Sequence, residues 1–243
     1  MNKTKLIFGT MPIGNFDDST YNLIKYIKTA DLIVIENEKV IKELTKYFNL
    51  SITAKIINMS TKNFLVNGTF INQNEYTENR YNIELEILNN INLNKTVLCL
   101  SDAGSAIISD PFDIIRRSAI EKNIKYKVLP GASAIISSLS CSKLYDGGPF
   151  HFYGMLFYNT NKINIYELIK NSPYPSVLFY HLEIQDVFLK ELSHFIDPNR
   201  KITFAGNVTR IDEFIIESNI NDIMNFVSKN EIEEATLIIS GKN

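Results

Sequence analysis

The sequence predicts an α/β fold of two lobes, the first built on a mostly parallel sheet and the second on a mixed sheet. Short apolar runs alternate with amphipathic stretches along all 243 residues, which is typical of strands and helices packed in layers. Apolar runs of the first half are nearly continuous, as expected for parallel strands covered on both faces. In the second half, a short polar turn at Asn207–Arg210 joins two runs, so at least one antiparallel pair is expected.

The first half contains the elements of the first lobe. Its predicted strands are Lys5–Gly9, Leu32–Glu36, Lys55–Asn58, Thr96–Ser101 and Lys125–Leu129. Its predicted helices are Thr20–Thr29, Val40–Phe48, Glu75–Asn90 and Pro111–Lys122. In the last helix, Phe112, Ile115 and Ala119 form one apolar stripe. We interpret Asp110 as the N-cap of this helix and Pro111 as its first residue, a frequent way for a helix to begin.

The second half repeats the alternation in a different order. Its predicted strands are Phe150–Met155, Ser176–His181, Lys201–Ala205, Glu213–Glu217 and Ala235–Ser240. Its predicted helices are Ala132–Leu144, Ile163–Asn171, Ile184–Phe195 and Asn221–Lys229. We expect domains at 1–130 and 131–243, with the loop Tyr145–Pro149 as the alternative boundary.

Composition and charge exclude several classes of protein. Lys and Arg number 25 against 27 Asp and Glu, so the net charge of −2 gives no argument for binding nucleic acid or an anionic membrane. No apolar run reaches the roughly 18 residues that a membrane span needs. The 2 cysteines and 3 histidines lack the spacing of a disulfide framework or a zinc site. We therefore expect a cytoplasmic protein with neither a membrane anchor nor a metal ion.

Three loops that contain glycine follow predicted strands, and such loops bind ligands in α/β proteins because their backbone N–H groups are accessible. The loops are Gly9–Asn15, Ser101–Ser105 and Pro130–Ala134. None contains the glycine pattern of a dinucleotide fold or of a P-loop, so neither of those phosphate sites is predicted. Each loop alone is a weak signal, and the combination of the three is a strong one.

These loops carry motifs in a fixed order: T-M-P-I-G-N-F-D-D from Thr10, L-S-D-A-G-S-A-I-I-S-D-P from Leu100 and L-P-G-A-S-A from Leu129. The order resembles the tetrapyrrole methylase superfamily, over nearly the whole chain. Within it, the sequence is most similar to the bacterial family that methylates the 2′-hydroxyl of a cytidine in small-subunit ribosomal RNA. The resemblance implies a homodimer that binds S-adenosylmethionine in the cleft between two α/β lobes.

The resemblance also implies which residues contact the cofactor. They are Pro12, Ser101, Asp102, Ala103, Gly104, Ser105, Ser133, Ala134, Tyr180, Asn207 and Val208. Methyl transfer to a sugar hydroxyl is assisted by a base that accepts its proton. The catalytic candidates are Asp102, Asn15, Asp17 and Glu36, and the sequence does not choose among them.

Several positions depart from the ribosomal RNA enzymes. The family's E-D-T-R stands here as Glu36-Asn37-Glu38-Lys39, its two histidines as Ile71 and Gln73, and its R-E as Gly206-Asn207. Three hypotheses therefore stay open: the ribose methyltransferase, a methyltransferase of the same fold with another acceptor, and a dimer that binds S-adenosylmethionine without turnover.

Local positive charge could contact RNA phosphates if RNA is the substrate. One group comprises Arg116, Arg117, Lys122, Lys125 and Lys127, and the other comprises Lys39, Lys42 and Lys46. We favour the alternative that these side chains form solvated helix faces.

Overall fold

The computed structural model describes residues 4–59, 65–66, 69–70, 73–156, 162–181, 185–230 and 232–242. The chain divides into two compact units, and the change from the first to the second falls between Ser133 and Ala134, close to the predicted boundary. Among the described helices, none combines the length and the apolar character that crossing a membrane requires.

The first unit alternates strands and helices. Its strands are β1 (Leu6–Met11), β2 (Leu32–Ile35), β3 (Lys55–Asn58), β4 (Leu65–Val66), β5 (Thr69–Phe70), β6 (Val97–Leu100), β7 (Gly104–Ser105) and β8 (Tyr126–Val128). Its helices are α1 (Tyr21–Thr29), α2 (Glu38–Tyr47), α3 (Gln73–Asn92) and α4 (Asp113–Glu121), with a 3₁₀ turn at Phe16–Asp18.

The main sheet of the first unit is parallel except for one short strand. Its order is β3-β2-β6-β1-β7, and β8 also pairs with β1. Strand β1 is parallel to β6 and β8, whereas β7 runs antiparallel to the end of β1, with Thr10 opposite Ser105. The carboxyl ends of β2 and β6 are neighbours, because Ile35 lies opposite Leu100.

Side chains of the parallel strands alternate between two apolar layers, one on each face of the sheet. Leu6 and Phe8 of β1 belong to the layer that includes α3 and α4 residues. Ile7 between them belongs to the layer that includes α1 and α2 residues. The near-continuous apolar runs in the sequence follow from this burial on both faces.

The second unit contains the remaining elements. Its strands are β9 (His151–Met155), β10 (Ser176–His181), β11 (Ile202–Gly206), β12 (Phe214–Ser218) and β13 (Glu234–Ile239). Its helices are α5 (Ala134–Cys141), α6 (Lys162–Asn171), α7 (Gln185–Ser193) and α8 (Ile220–Val227).

The sheet of the second unit is mixed, as the polar turn predicts. Its order is β12-β11-β13-β10-β9, with β9 and β10 parallel and the other neighbours antiparallel. One face packs on a large core that includes Tyr166 and Phe204, and the other packs on Leu139 of α5. The predicted two-lobed α/β class is confirmed.

One predicted helix start is wrong in detail. Helix α4 begins at Asp113, not at Pro111, and Phe112 occupies the position before it. Asp110 Oδ1 accepts a hydrogen bond from Phe112 N at 2.9 Å, so this carboxyl closes the turn that precedes the helix. Asp110 is therefore not the N-cap, although it does accept a backbone N–H as a cap would.

Candidate active site

The three predicted loops lie at one edge of the first sheet, the edge where its parallel strands end. Pro12 follows β1, Ser101 follows β6 and Leu129 follows β8. Glu36 follows β2, the strand beside β6. Ligands of open α/β sheets bind outside the carboxyl ends of the strands, so this edge is the candidate site.

The loop after β6 folds back onto β1. Gly104 has φ +66°, a left-handed conformation that favours glycine, and it lies opposite Met11 as part of β7. Ser101 is buried, and its hydroxyl donates a hydrogen bond to the carbonyl of Gly104 at 2.8 Å. Asp102 and Ala103, between these two residues, form the tip of a tight and internally bonded turn.

The loop after β8 lies directly against β1. A Cβ atom at Gly131 would lie 2.8 Å from Thr10 Cγ2, so only glycine permits this approach. The Thr10 hydroxyl donates a hydrogen bond to the carbonyl of Leu129, which fixes the same loop. Sequence analysis did not identify Thr10 as a residue that shapes the site.

A cluster of three carboxyl groups occupies the edge: Glu36, Asp102 and Asp110. Glu36 Oε1 accepts a hydrogen bond from Asp102 N at 3.1 Å. The Glu36 and Asp110 side chains are hydrogen-bonded to each other, which requires a proton on one of them. The structure thus brings two predicted site residues together and adds Asp110, which the sequence analysis interpreted as a helix cap only.

Burial and mutual repulsion make the carboxyls of Glu36 and Asp110 hard to ionise. Burial, followed by the charge and hydrogen bond of Asp110, raises the pKa of Glu36 to about 9. Burial also raises the pKa of Asp110 above its usual range, although its hydrogen bond from Phe112 N opposes the shift. The pair therefore retains one proton at neutral pH. Strongly shifted carboxyls at a loop edge are typical of functional sites.

Two other catalytic candidates have local roles. The exposed Asn15 accepts a hydrogen bond from Asp17 N at 3.0 Å and caps the 3₁₀ turn. The exposed Asp17 accepts a hydrogen bond from the Tyr47 hydroxyl at 2.7 Å. Neither makes a described contact with the carboxyl cluster, and their part in catalysis stays a prediction.

The second unit holds the remaining predicted cofactor residues, apart from Ser133 at the end of the first. Ala134 begins α5, and Tyr180 is buried in the core, where its ring packs edge to face on Phe204 at 5.1 Å. Asn207 follows β11 with φ 50°, and Val208 beside it is buried. Their contact with a cofactor stays a prediction.

The turn after β11 has polar atoms that would suit a ligand. Asn207 donates a hydrogen bond to Asp212 at 2.7 Å, but its Oδ1 is buried and has no partner among the described residues. The same is true of Thr209 Oγ1 in this turn. Because buried polar atoms are normally hydrogen-bonded, these two favour a polar group bound here.

Two departures from the family are structurally mild. Asn37 caps α2, since its side chain accepts a hydrogen bond from Lys39 N at 2.9 Å, and aspartate and asparagine cap helices equally well. Lys39 is exposed, and its Nζ lies 3.9 Å from Glu43 Oε1. At Gly206 the ring of Phe214 occupies the space of a side chain, since a Cβ there would lie 2.1 Å from Phe214 Cζ. Ile71 lies outside the described residues, and the side chain of Gln73 at the start of α3 is not described.

Most of the predicted RNA-contacting charges on the helices are paired with nearby carboxylates. The ion pairs are Lys42–Glu38 at 2.6 Å, Arg116–Asp113 at 2.6 Å, Arg117–Asp113 at 2.6 Å and Lys122–Glu84 at 2.7 Å. Lys125 and Lys127 flank Tyr126 of β8 on its exposed side, and Lys127 also lies over the Tyr26 ring at 5.7 Å. The interpretation as solvated helix faces fits α2 and α4 better than β8.

Comparison with known families decides the assignment. The family described as Tetrapyrrole (Corrin/Porphyrin) Methylases matches residues 5–224. The chain belongs to this family. The predicted family and the predicted enzyme class, a methyltransferase, are thereby confirmed. The matched region includes all three loops of the candidate site.

Curated relatives match over the full length. The chain is 28% identical to the ribosomal RNA small subunit methyltransferase I of Hydrogenobaculum sp. (strain Y04AAS1), over 98% of this chain and 96% of the relative. It is 26% identical to the protein of the same name from Thermotoga maritima, over 98% of this chain and 99% of the relative.

Solved structures of methyltransferases share the fold. Cobalt precorrin-4 methyltransferase, a cobalamin biosynthetic enzyme, has a TM-score of 0.69 at 14% identity and covers 98% of this chain and 94% of its own. Uroporphyrin-III C-methyl transferase of Thermus thermophilus, solved with S-adenyl homocysteine, has a TM-score of 0.65 at 14% identity and covers 98% and 97%. That ligand is what remains of S-adenosylmethionine, the predicted cofactor of this family, once the methyl group has left.

Proposed function

We propose that this methylase family member transfers a methyl group from S-adenosylmethionine to a ribose 2′-hydroxyl of a cytidine in small-subunit ribosomal RNA. The observation that carries the proposal is the full-length match to relatives named as ribosomal RNA small subunit methyltransferase I. The site geometry supports it, since the motifs of those loops gather at one edge of the first sheet. A homodimer and a cytoplasmic location are part of the same proposal.

The residues at the edge suit the cofactor. The Ser101–Ser105 turn offers backbone groups for the polar amino-acid end of the cofactor, and the sulfonium cation prefers nearby oxygen atoms to apolar carbon. Gly104 leaves room for a ligand to approach the backbone closely, because a Cβ there would meet only Ile13 Cγ2 at 3.7 Å, whereas Gly131 lets the loop after β8 pack against Thr10. In the second unit, Asn207 Oδ1 and Thr209 Oγ1 offer hydrogen-bonding atoms that no described residue uses. The cofactor itself supplies an activated methyl group.

The remaining work of the site is to hold the acceptor hydroxyl in line with that methyl group and to accept its proton. Asp102 is our candidate base, because it lies at the tip of the turn after β6. Glu36 is a poor candidate, since its shared proton with Asp110 persists at neutral pH. This proposal ranks Asp102 above Glu36, and the part of Asn15 and Asp17 stays a prediction.

The departures from the family do not favour a different acceptor by themselves. Asn37 retains the helix cap, and Glu36 retains its carboxyl at the site. Lysine at position 39 cannot donate two parallel hydrogen bonds to a phosphate as arginine can. We therefore expect this change to lower the affinity for RNA more than the rate of methyl transfer.

A transfer assay tests the proposal. Purified protein is incubated with S-adenosylmethionine labelled in its methyl group and with small ribosomal subunits, total RNA or a small-molecule extract. We expect label on the small-subunit RNA, resistance of that position to alkaline cleavage, and a loss on the order of 10²-fold for Asp102→Asn. Glu121→Gln, an exposed carboxyl change at the end of α4, is the matched control with unchanged activity.

Other outcomes overturn parts of the proposal. Label in a small molecule and none in RNA would establish a different acceptor. Cofactor binding without transfer to any fraction would establish a binding protein without turnover. Full activity of Asp102→Asn would exclude Asp102 as the base.

A further inference from the structure

The Glu36–Asp110 pair joins two segments that are distant in the chain. Glu36 Oε1 accepts the hydrogen bond from Asp102 N, which belongs to the turn after β6. Asp110 Oδ1 accepts the hydrogen bond from Phe112 N, which precedes α4. The carboxyl–carboxyl hydrogen bond between Glu36 and Asp110 completes a continuous connection from the turn to the start of the helix.

One proton holds this connection together. A carboxylate only accepts hydrogen bonds, so two ionised carboxylates cannot bond to each other. The charged groups that act on Glu36 are Asp110, before α4, and Asp102, after β6. Asp110 also faces the thiol of Cys99 on β6, which burial keeps neutral. Loss of the shared proton would therefore place three negative charges together at the turn.

We propose that Glu36 and Asp110 are positioning residues, which hold the Asp102 turn in its cofactor-binding conformation through a single shared proton. This inference rests on the proposed function, because the turn is assigned there to S-adenosylmethionine. It assigns the two side chains no direct contact with the reacting atoms. Cofactor affinity should then fall when the proton is lost at alkaline pH, because the Glu36–Asp110 hydrogen bond breaks and the repulsion between the carboxylates displaces Glu36 from the turn.

Amide variants imitate the protonated pair and make the test sharp. In Glu36→Gln, the amide oxygen can still accept from Asp102 N, while its NH₂ group donates permanently to Asp110. In Asp110→Asn, the amide oxygen can still accept from Phe112 N, and its NH₂ group donates to Glu36. Glu36→Ala removes both the acceptor and the link.

The experiment measures the dissociation constant of S-adenosylhomocysteine by calorimetric titration between pH 6.5 and pH 10. At pH 7 we expect the wild type and both amide variants to agree within about twofold, and Glu36→Ala to bind about tenfold more weakly. Toward pH 10 the wild type should weaken about tenfold relative to Glu36→Gln. Titration of the ligand's own amino group affects all variants equally, so it cancels in this ratio.

The outcomes separate this inference from the proposed function. Parallel pH profiles for the wild type and Glu36→Gln, or wild-type affinity in a folded Glu36→Ala, would overturn the inference alone. A wild type that binds no S-adenosylhomocysteine at any pH would overturn the cofactor assignment and this inference with it. Normal binding without methylation of ribosomal RNA would overturn the proposed acceptor and leave the positioning role in place.

Discussion

The two units hold their partly buried charged side chains in different ways. In the second unit, the Arg200 guanidinium donates hydrogen bonds to backbone carbonyls, including Ser240 O at 2.6 Å and Ile169 O at 2.8 Å. In the first unit, the carboxyls of Glu36 and Asp110 face each other and require a shared proton. The arrangement in the second unit gives a charged group its hydrogen-bond partners, whereas the arrangement in the first unit brings two acidic groups together.

This difference separates a structural network from a functional one. Arg200 closes the carboxyl end of α6 and the end of β13, where several carbonyls would otherwise lack donors. A carboxyl pair stabilises the fold less well than an apolar pair would, because burial opposes ionisation. Its presence beside the turn that we propose to bind the cofactor therefore favours a role in the site, which the following predictions test.

The largest effect is expected for Arg200→Met. The substitution leaves the carbonyls of Ile169 and Ser240 without their donor, so the free energy of unfolding of the second unit should fall by about 3 kcal/mol. Urea denaturation followed by circular dichroism measures this loss. Lys201→Met, an exposed neighbour, is the control and should stay within about 0.5 kcal/mol of the wild type. Equal stability of both variants would show that the Arg200 hydrogen bonds contribute little.

The second effect is a dependence of stability on pH in the absence of any ligand. Because the pKa of Glu36 rises from 4.5 in the unfolded chain to about 9 in the folded one, the folded state binds the additional proton between these values. The stability that the protonated Glu36 contributes is therefore fully present below pH 4.5 and is lost as the pH rises through 9.

Glu36→Gln removes this titration. Between pH 5 and pH 9 its free energy of unfolding should decline less than that of the wild type, by a difference on the order of 2 kcal/mol. Urea denaturation at pH 5, 7 and 9 measures the difference. Identical slopes for the two proteins would mean that Glu36 is ionised in the folded protein at neutral pH.

A smaller effect on stability, with a larger one on binding, is expected for Gly131→Ala. The new methyl group meets Thr10 Cγ2 at 2.8 Å, so the loop after β8 must shift, at a cost of about 1 kcal/mol. Affinity for S-adenosylhomocysteine, measured by calorimetry, should fall severalfold.

A double variant tests the cause. Thr10→Ser removes Cγ2 and retains the hydroxyl that bonds to Leu129 O, so it should restore part of the affinity lost in Gly131→Ala. Gly148→Ala, in a loop of the second unit where the nearest atom is the Asp146 carboxyl oxygen, is the control with normal affinity. Absence of any rescue would show that Cγ2 is not the main obstacle, because Cβ of residue 10, 2.9 Å from the new methyl group, remains in the double variant.

The sequence predicts the elements well because burial on both faces of each sheet leaves a local trace. Strands Lys55–Asn58 and Ser176–His181 have the predicted bounds, and the other main strands differ at their ends only. The two-residue strand β7 is not predictable in this way, since its pairing with Met11 depends on a fold of the loop after β6. A pattern of residue types carries no information about such a contact.

The site residues likewise fall into those that the local sequence predicts and those that depend on contacts between distant segments. Loops and their glycines follow strands directly, and so the sequence locates Ser101–Ser105 and Pro130-Gly131. Asp110 has a local explanation as a capping residue, and its contact with Glu36 arises only when the turn before α4 meets the end of β2. The only indication in the sequence that Asp110 belongs to the site is its position in the S-D-P end of the second motif.

The smallest effect per substituted residue is expected for surface lysines, on the affinity for the proposed RNA substrate. Lys127 on the edge strand β8 and Lys125 just before it have no carboxylate ion-pair partner among the residues that the structure describes, whereas Lys39 and Lys42 on α2 have Glu43 and Glu38. A lysine already paired with a carboxylate gains less from a phosphate than an unpaired one does. We therefore expect Lys125→Glu/Lys127→Glu to weaken binding to small ribosomal subunits more than Lys39→Glu/Lys42→Glu.

Salt dependence checks the interpretation, because both double variants change the net charge equally. Each phosphate contact contributes about 0.7 to 0.9 to the slope of log affinity against log salt concentration. Filter binding between 50 and 300 mM KCl should give a slope lower by about 1.5 for the β8 variant and an unchanged slope for the α2 variant. Equal slopes in both variants would mean that the RNA does not contact β8, and the search for its phosphate contacts would move to other surfaces of the protein.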